Sequence, residues 1–119
     1  MIRVKPGVSL DNVHPQIFLA IGLAAPIWQR YGAPELWVTA ANEEGHSTGP
    51  RGFHRLPNGT CQAADLRTWN IPEPADRHKA VEELAEHLGR YFDVLYEKPG
   101  QQGEHVHLQW DEERPGTNV

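Results

Sequence analysis

The stretch from Glu104 to Trp110 reads Glu-His-Val-His-Leu-Gln-Trp, and its polar and apolar side chains alternate. Successive side chains of a β-strand point to opposite faces, so this alternation predicts a strand. One face of that strand carries His105, His107 and Gln109, and the other carries Val106, Leu108 and Trp110. The strand therefore has an apolar face to pack on a core and a second face that bears imidazoles.

Two further elements precede this strand. Tyr91 to Glu97 alternates in the same way, and the sequence Lys98-Pro-Gly-Gln-Gln-Gly lies between the two strands. Proline and glycine favour a turn, so we expect an antiparallel hairpin. Before the hairpin, Ala75 to Gly89 has apolar residues on one side, acidic residues on the other and a glycine at its end. This pattern predicts an amphipathic helix.

The first half of the chain predicts one helix and two strands. Val13 to Tyr31 has apolar residues three and four positions apart, and Asp11 or Asn12 could cap its start. Glu35 to Ala41 and Gln62 to Thr68 are rich in residues that favour strands. The complete order predicts an α+β domain, in which two helices pack on a small, mostly antiparallel sheet.

Length and composition indicate one globular domain. The chain has 119 residues, of which 39% are hydrophobic and 23% charged, as in ordinary globular proteins. We therefore assign residues 1–119 to one domain, with 111–119 as a frayed tail. The net charge of −5 argues against a nucleic-acid-binding protein. The apolar stretch from Ile17 to Trp28 is too short for a membrane span, and the N-terminus does not resemble a signal peptide, so we expect a cytoplasmic protein as synthesised.

Any metal in this chain would be held by histidine and carboxylate, because Cys61 is the single cysteine. A long loop from Asn42 to Thr60 carries His54 and leads into the strand that contains Asp65. Long loops in compact domains are usually functional. Asp65 lies among small and apolar residues, where a carboxylate needs a partner. That partner could be Arg67 in an ordinary salt bridge, or a metal ion.

Two imidazoles and one carboxylate are a common ligand set for catalytic zinc, which leaves a fourth position for water. His54, Asp65 and His107 could supply this set. Glu104 precedes His107 by three residues and could accept a proton from water on the metal. Ordinary interpretations exist as well, since His-x-His could belong to a solvated sheet face and Glu104 to a solvated turn.

The order of these motifs resembles that of a known family. The motifs Val38-Thr-Ala-Ala-Asn, Gly45-His-Ser, His54, Ala64-Asp-Leu-Arg and Glu104-His-Val-His-Leu-Gln are similar to those of the zinc D-alanyl-D-alanine carboxypeptidases. That group also contains the vancomycin-resistance D,D-dipeptidases, phage L-alanyl-D-glutamate endolysins and the hedgehog signalling domain. The resemblance implies a fold of the hedgehog/DD-peptidase type.

The resemblance also implies a zinc ion, Zn2+, held by His54, Asp65 and His107, with Glu104 as the general base. The implied activity is that of a metallopeptidase that hydrolyses peptidoglycan stem peptides, or another peptide containing a D-amino acid, by attack of metal-bound water. The bond cut would be of the D-Ala-D-Ala or the L-Ala-D-Glu type. A phage product of this kind would reach the cell wall after release at lysis.

The chain departs from the family in the long loop. The family separates its first histidine ligand from the aspartate by a shorter stretch than the eleven positions found here. His46 is therefore an alternative ligand, and Cys61 a more distant one. The arginine with which many relatives stabilise the reacting carbonyl has no direct counterpart, and Arg51 or His46 could replace it. His105 could orient the substrate or flank the metal.

Three other interpretations compete with a zinc peptidase. The main alternative is a zinc-containing domain of the same fold without catalysis, for example a phage structural component, and the missing arginine favours it. A cupin-type site built on His105, His107 and Glu112 would need a second motif, but only seven residues follow Glu112. A non-haem iron oxygenase would need a His-x-Asp/Glu pair on one strand, which the chain lacks.

Overall fold

The computed structural model describes residues 1–43 and 60–111, and the predicted site residues His46, Arg51 and His54 lie outside these ranges. The described residues form two helices and five strands. In chain order these are β1 (Ile2–Val4), α1 (Pro15–Arg30), β2 (Leu36–Ala40), β3 (Ala63–Arg67), α2 (Pro74–Leu88), β4 (Phe92–Glu97) and β5 (His105–Trp110). The predicted α+β class with two helices is confirmed.

The strands form one mixed sheet in the order β1-β2-β3-β5-β4. β1 pairs with β2 in parallel, and the other three pairings are antiparallel. The predicted hairpin of the last two strands is present as β4 and β5. The sequence did not predict β1, whose three residues are all exposed and too few to show an alternation. Because β5 lies between β3 and β4, its backbone is paired along both edges.

Both helices cover the same face of the sheet. They contact each other, and α1 also contacts β2 and β5 while α2 contacts β4. The strand side chains that join the helices in the core alternate along β2, β3 and β5, and they are Leu36, Val38, Ala64, Leu66, Val106 and Leu108. Burial of a leucine side chain contributes roughly 2 kcal/mol. The side chains between these core positions must point to the opposite face, the face without helices among the described residues.

The start of α1 differs from the prediction. Neither Asp11 nor Asn12 caps the helix, since the N-cap residue is His14, whose Nδ1 accepts a hydrogen bond from the backbone N–H of Gln16 at 3.1 Å. The His14 ring also packs on Trp110, with the ring centroids 4.2 Å apart. This contact with a distant residue fixes the cap and cannot be inferred from local sequence. Among the described residues, neither helix has the length and apolar character needed to span a bilayer.

Candidate functional site

The face of the sheet without helices brings Asp65 and His107 together. Asp65 of β3 and His107 of β5 are register partners, so their side chains stand side by side. The Nδ1 atom of His107 and the Oδ1 atom of Asp65 are 2.8 Å apart. His107 is 7% exposed, and the Asp65 side chain is 15% exposed. Two of the three predicted zinc ligands are therefore neighbours, held by the two central strands.

The His107 imidazole has an acceptor oxygen near each ring nitrogen. Its Nε2 atom lies 3.2 Å from Oε1 of Gln109, opposite the contact with Asp65. Burial lowers the pKa of His107, but the hydrogen bond with Asp65 and the charge of that carboxylate outweigh this effect, so the pKa is raised. The raised pKa favours a proton on this ring, and a metal ion bound at Nδ1 would have to displace it.

A second imidazole flanks this pair. The Nε2 atom of His105 is 3.1 Å from Oε1 of Glu97 and 3.8 Å from Oδ2 of Asp65. Its Nδ1 atom is 2.8 Å from the carbonyl oxygen of Gly103, which fixes the orientation of the ring. His105 and His107 therefore approach the two oxygens of the same Asp65 carboxylate, His107 more closely than His105.

The pair formed by Asp65 and His107 fits zinc in donor type and in spacing. Imidazole nitrogen and carboxylate oxygen are normal zinc ligands at about 2.1 Å, and two such atoms in a tetrahedral site are about 3.3 Å apart. The observed separation of 2.8 Å would have to widen by only ~0.5 Å. Residues 1–43 and 60–111 contain no group of three His, Cys, Asp or Glu residues that could hold a metal. The predicted third ligand, His54, and its alternative, His46, lie outside these residues.

A cleft of about 250 Å³ opens beside the pair. Asp65, His105, Arg67 and Trp69 contribute to its walls, with Lys5 at another side. The sequence offered Arg67 as a salt-bridge partner of Asp65, but its guanidinium is stacked against the rings of Trp37 and Trp69. Trp69 is 53% exposed and forms an apolar part of the wall. The site thus combines a cation-binding pair with room for a small ligand.

Glu104 has a different environment from Asp65. It is 3% exposed, and although it contributes to the floor of the cleft, its carboxylate contacts α2. One oxygen, Oε2, accepts hydrogen bonds from the hydroxyl groups of Thr68 at 2.5 Å and Tyr96 at 2.8 Å. The other, Oε1, accepts from Nη1 of Arg77 at 3.2 Å and from the backbone N–H of Gly100 at 2.8 Å. These four bonds use the acceptor capacity of a carboxylate.

The hydrogen bonds keep Glu104 ionised. Burial raises the pKa of its carboxyl group, but the bonds from Thr68, Gly100 and Tyr96 and the charge of Arg77 outweigh burial and lower the pKa. Burial and the interaction with Glu104 raise the pKa of Tyr96 to about 12. Glu104 as general base stays a prediction, and an anion already bound by four donors is poorly placed to accept a proton from water.

The sequence contained one unused signal about Glu104. It precedes His107 by three positions, and an odd spacing along an extended chain places two side chains on opposite faces. Thr68 and Tyr96, which donate hydrogen bonds to Glu104, were not predicted as a group because their convergence depends on strand register.

No family model matches the chain, and comparisons with curated proteins and with solved structures likewise find no match.

Proposed function

We propose that this chain is a zinc-dependent peptidase that hydrolyses amide bonds of peptidoglycan stem peptides, with a fold of the hedgehog/DD-peptidase type. Asp65 and His107 supply two ligands, and His54 supplies the third. The observation that carries the proposal is the 2.8 Å contact between side chains 42 positions apart, on the face without helices and next to a cleft.

The position of the ligands in the fold supports this proposal. His54 precedes the first residue of β3, Ala63, by nine positions in the sequence, so the proposed third ligand comes from the part of the chain that leads into the strand of Asp65. β5 is paired on both sides and holds His107 firmly, which lowers the cost of ordering the site on metal binding. When bound, zinc activates water and polarises a carbonyl group.

The residues around the pair suit a short peptide. His105 lines the cleft, and its contacts with Glu97 and Gly103 hold the imidazole in one orientation against a bound peptide. The exposed ring of Trp69 offers an apolar surface for an aliphatic side chain such as that of alanine. A cleft of this size holds a few peptide residues rather than a folded partner.

A second candidate is a zinc-containing domain of the same fold that binds without catalysis, such as a phage structural component. The four hydrogen bonds to Glu104 favour it, because they leave this carboxylate without an obvious lone pair for the proton of water. Under this candidate Asp65 and His107 still bind zinc, while Glu104 only stabilises the fold.

Zinc content and peptide hydrolysis, measured on the same purified protein, separate the candidates. We expect about one zinc per chain, lost in Asp65→Ala and retained in Asp93→Ala, a control on the edge strand β4. Mass spectrometry of a muropeptide panel then identifies any bond cut. Zinc with turnover supports the peptidase, zinc without turnover supports the binding domain, and protein without zinc contradicts both.

A further inference from the structure

Arg67 has an uncommon environment at the edge of the cleft. Its guanidinium carbon lies 4.4 Å from the centre of the Trp69 ring and 4.9 Å from the centre of the Trp37 ring. Its Nε atom is buried and has no hydrogen-bond partner among the described residues. Throughout residues 1–43 and 60–111, no carboxylate pairs with this guanidinium. Within the part of the chain that the structure describes, Arg67 is therefore a partly buried cation that is stacked against two indoles and has no paired anion.

Stacking of this kind prepares an arginine for an oxyanion. The two indoles attract the cation and restrict its rotation, but they do not use its N–H groups. Those groups lie along the edge of the guanidinium plane, where their geometry matches the two oxygens of a carboxylate. Because Arg67 is already ordered, a ligand would bind without paying much of the usual entropy of fixing the side chain.

A second cation lies at the same cleft. Lys5 directly follows β1, and Arg3 and Lys5 share the face of Trp37 because side chains alternate along the strand. Lys5 lines the cleft together with Arg67. This positive edge stands out in a chain whose net charge is −5. The carboxylates of Asp65 and Glu104 also line the cleft, so the attraction for an anion is local to the side where Arg67 and Lys5 stand and is not a property of the whole lining.

We propose that Arg67, stacked against Trp37 and Trp69 and assisted by Lys5, is a subsite for the C-terminal carboxylate of a peptide. This inference rests on the proposed function, in that the bond to be cut lies at the Asp65 and His107 pair. It assigns the chain to the carboxypeptidase type and not to the endopeptidase type.

The spacing along β3 supports this choice. Arg67 follows Asp65 by two positions on the same face, a distance of about 7 Å between their Cα atoms. One peptide residue spans about 3.5 Å. One residue therefore fits between a carboxylate at Arg67 and a carbonyl at Asp65, and non-covalent contacts with the protein at its two ends take up the remaining distance. Hydrolysis there adds the hydroxyl of water to the carbonyl carbon and breaks the C–N bond. The remaining proton of that water goes to the nitrogen of the released amino acid.

The test measures peptide binding to protein freed of metal by a chelator, so that it does not depend on zinc or turnover. Acetyl-Lys-D-Ala-D-Ala with a free carboxylate is compared with the same peptide amidated at its C-terminus by calorimetry. We expect the free acid to bind about tenfold more tightly. The indole N–H resonances of Trp37 and Trp69 should shift with the free acid only.

Variants locate the subsite. Arg67→Gln should abolish the preference for the free acid. Arg67→Lys keeps the positive charge but cannot bind both carboxylate oxygens with one planar group, so it should retain a few-fold preference. Arg90→Gln is the matched control, because Arg90 also stacks on an aromatic ring, that of Tyr91 at 5.3 Å, but does not line the cleft. It should leave the preference unchanged.

Three results would overturn the inference. They are equal affinity of the wild-type protein for acid and amide, an unchanged preference in a folded Arg67→Gln protein, and tighter binding of inorganic phosphate than of the peptide acid. The first needs no variant, so it decides the matter even if Arg67→Gln does not fold. A failed zinc measurement with an intact acid preference would remove the proposed peptidase and leave a carboxylate-binding cleft.

Discussion

Asp65, in the middle of β3, and Glu104, directly before β5, are two carboxylates of neighbouring strand segments, and the chain uses them differently. Glu104 is 3% exposed and accepts four hydrogen bonds, from Thr68 and Arg77 far along the chain and from the nearby Tyr96 and Gly100. Asp65 lies on the other face, where its side chain contacts His107 beside a cleft. The comparison teaches that the donors around a carboxylate, more than its place in a motif, indicate whether it stabilises a fold or binds a ligand.

The largest expected effect on stability comes from removing the buried carboxylate of Glu104. Glu104→Ala removes the acceptor of Nη1 of Arg77 and of the hydroxyl groups of Thr68 and Tyr96, and it leaves the Arg77 charge without its carboxylate. We expect the free energy of unfolding, measured by urea denaturation, to fall by about 3–5 kcal/mol. Glu97→Ala is the control, because the Glu97 side chain is 46% exposed, and it should cost less than about 1 kcal/mol.

The opposite outcome would break the comparison. A Glu104→Ala protein that unfolds like the wild type, keeps its zinc and loses turnover would identify Glu104 as the general base predicted from the sequence.

Variants of the two histidines of β5 test which of them binds zinc on the face without helices. His107→Ala removes a proposed ligand and should reduce zinc affinity by at least about 100-fold, whereas His105→Ala removes a flanking group and should reduce it by about tenfold or less. Competition with a zinc-binding dye measures both. Equal losses would mean that His105 belongs to the ligand set.

A smaller effect is expected from one donor of the Glu104 group. Tyr96→Phe removes one hydrogen bond to a charged acceptor and should lower the free energy of unfolding by roughly 1.5 kcal/mol. Tyr91→Phe, at a tyrosine that is 43% exposed, should change it by less than about 0.5 kcal/mol. The phenol of Tyr96 should ionise only near pH 12 in an ultraviolet titration of the wild type.

The smallest effect is a dependence on pH. The pKa of Glu104 is lower in the folded chain than in the unfolded chain, so its contribution to stability is complete above the unfolded pKa of about 4.3 and is lost as pH falls through the folded pKa. Arg77 stays charged throughout this range. As the pH is lowered from 5, the wild-type protein should therefore lose more stability in thermal unfolding than the Glu104→Gln variant does. Parallel curves would show that other carboxylates dominate.

Much of the fold could be predicted because its elements have clear periodicity. The predicted helix from Ala75 to Gly89 is observed from Pro74 to Leu88, and the last strand begins one residue later than predicted. β1 could not be predicted, since its parallel pairing with β2 is a contact between distant segments. The cap of α1 by His14 was missed for the same reason.

Less of the site could be predicted. The order of motifs suggested that Asp65 and His107 meet, but the register that makes them partners is a property of the folded sheet. Arg67 was considered only as a partner of Asp65, because nothing local shows that Trp37, thirty positions away, would stack on its guanidinium. The sequence identifies residue types suited to a site, and the sheet determines which of them share a face.

The most direct test of the central claim is a calorimetric zinc titration of two matched variants, Asp65→Asn and Glu104→Gln, beside the wild type. We predict about one zinc per chain for the wild type and for folded Glu104→Gln, and a loss of at least about 100-fold in affinity for Asp65→Asn. Zinc binding that survives Asp65→Asn, or that never occurs in the wild type, would contradict the account.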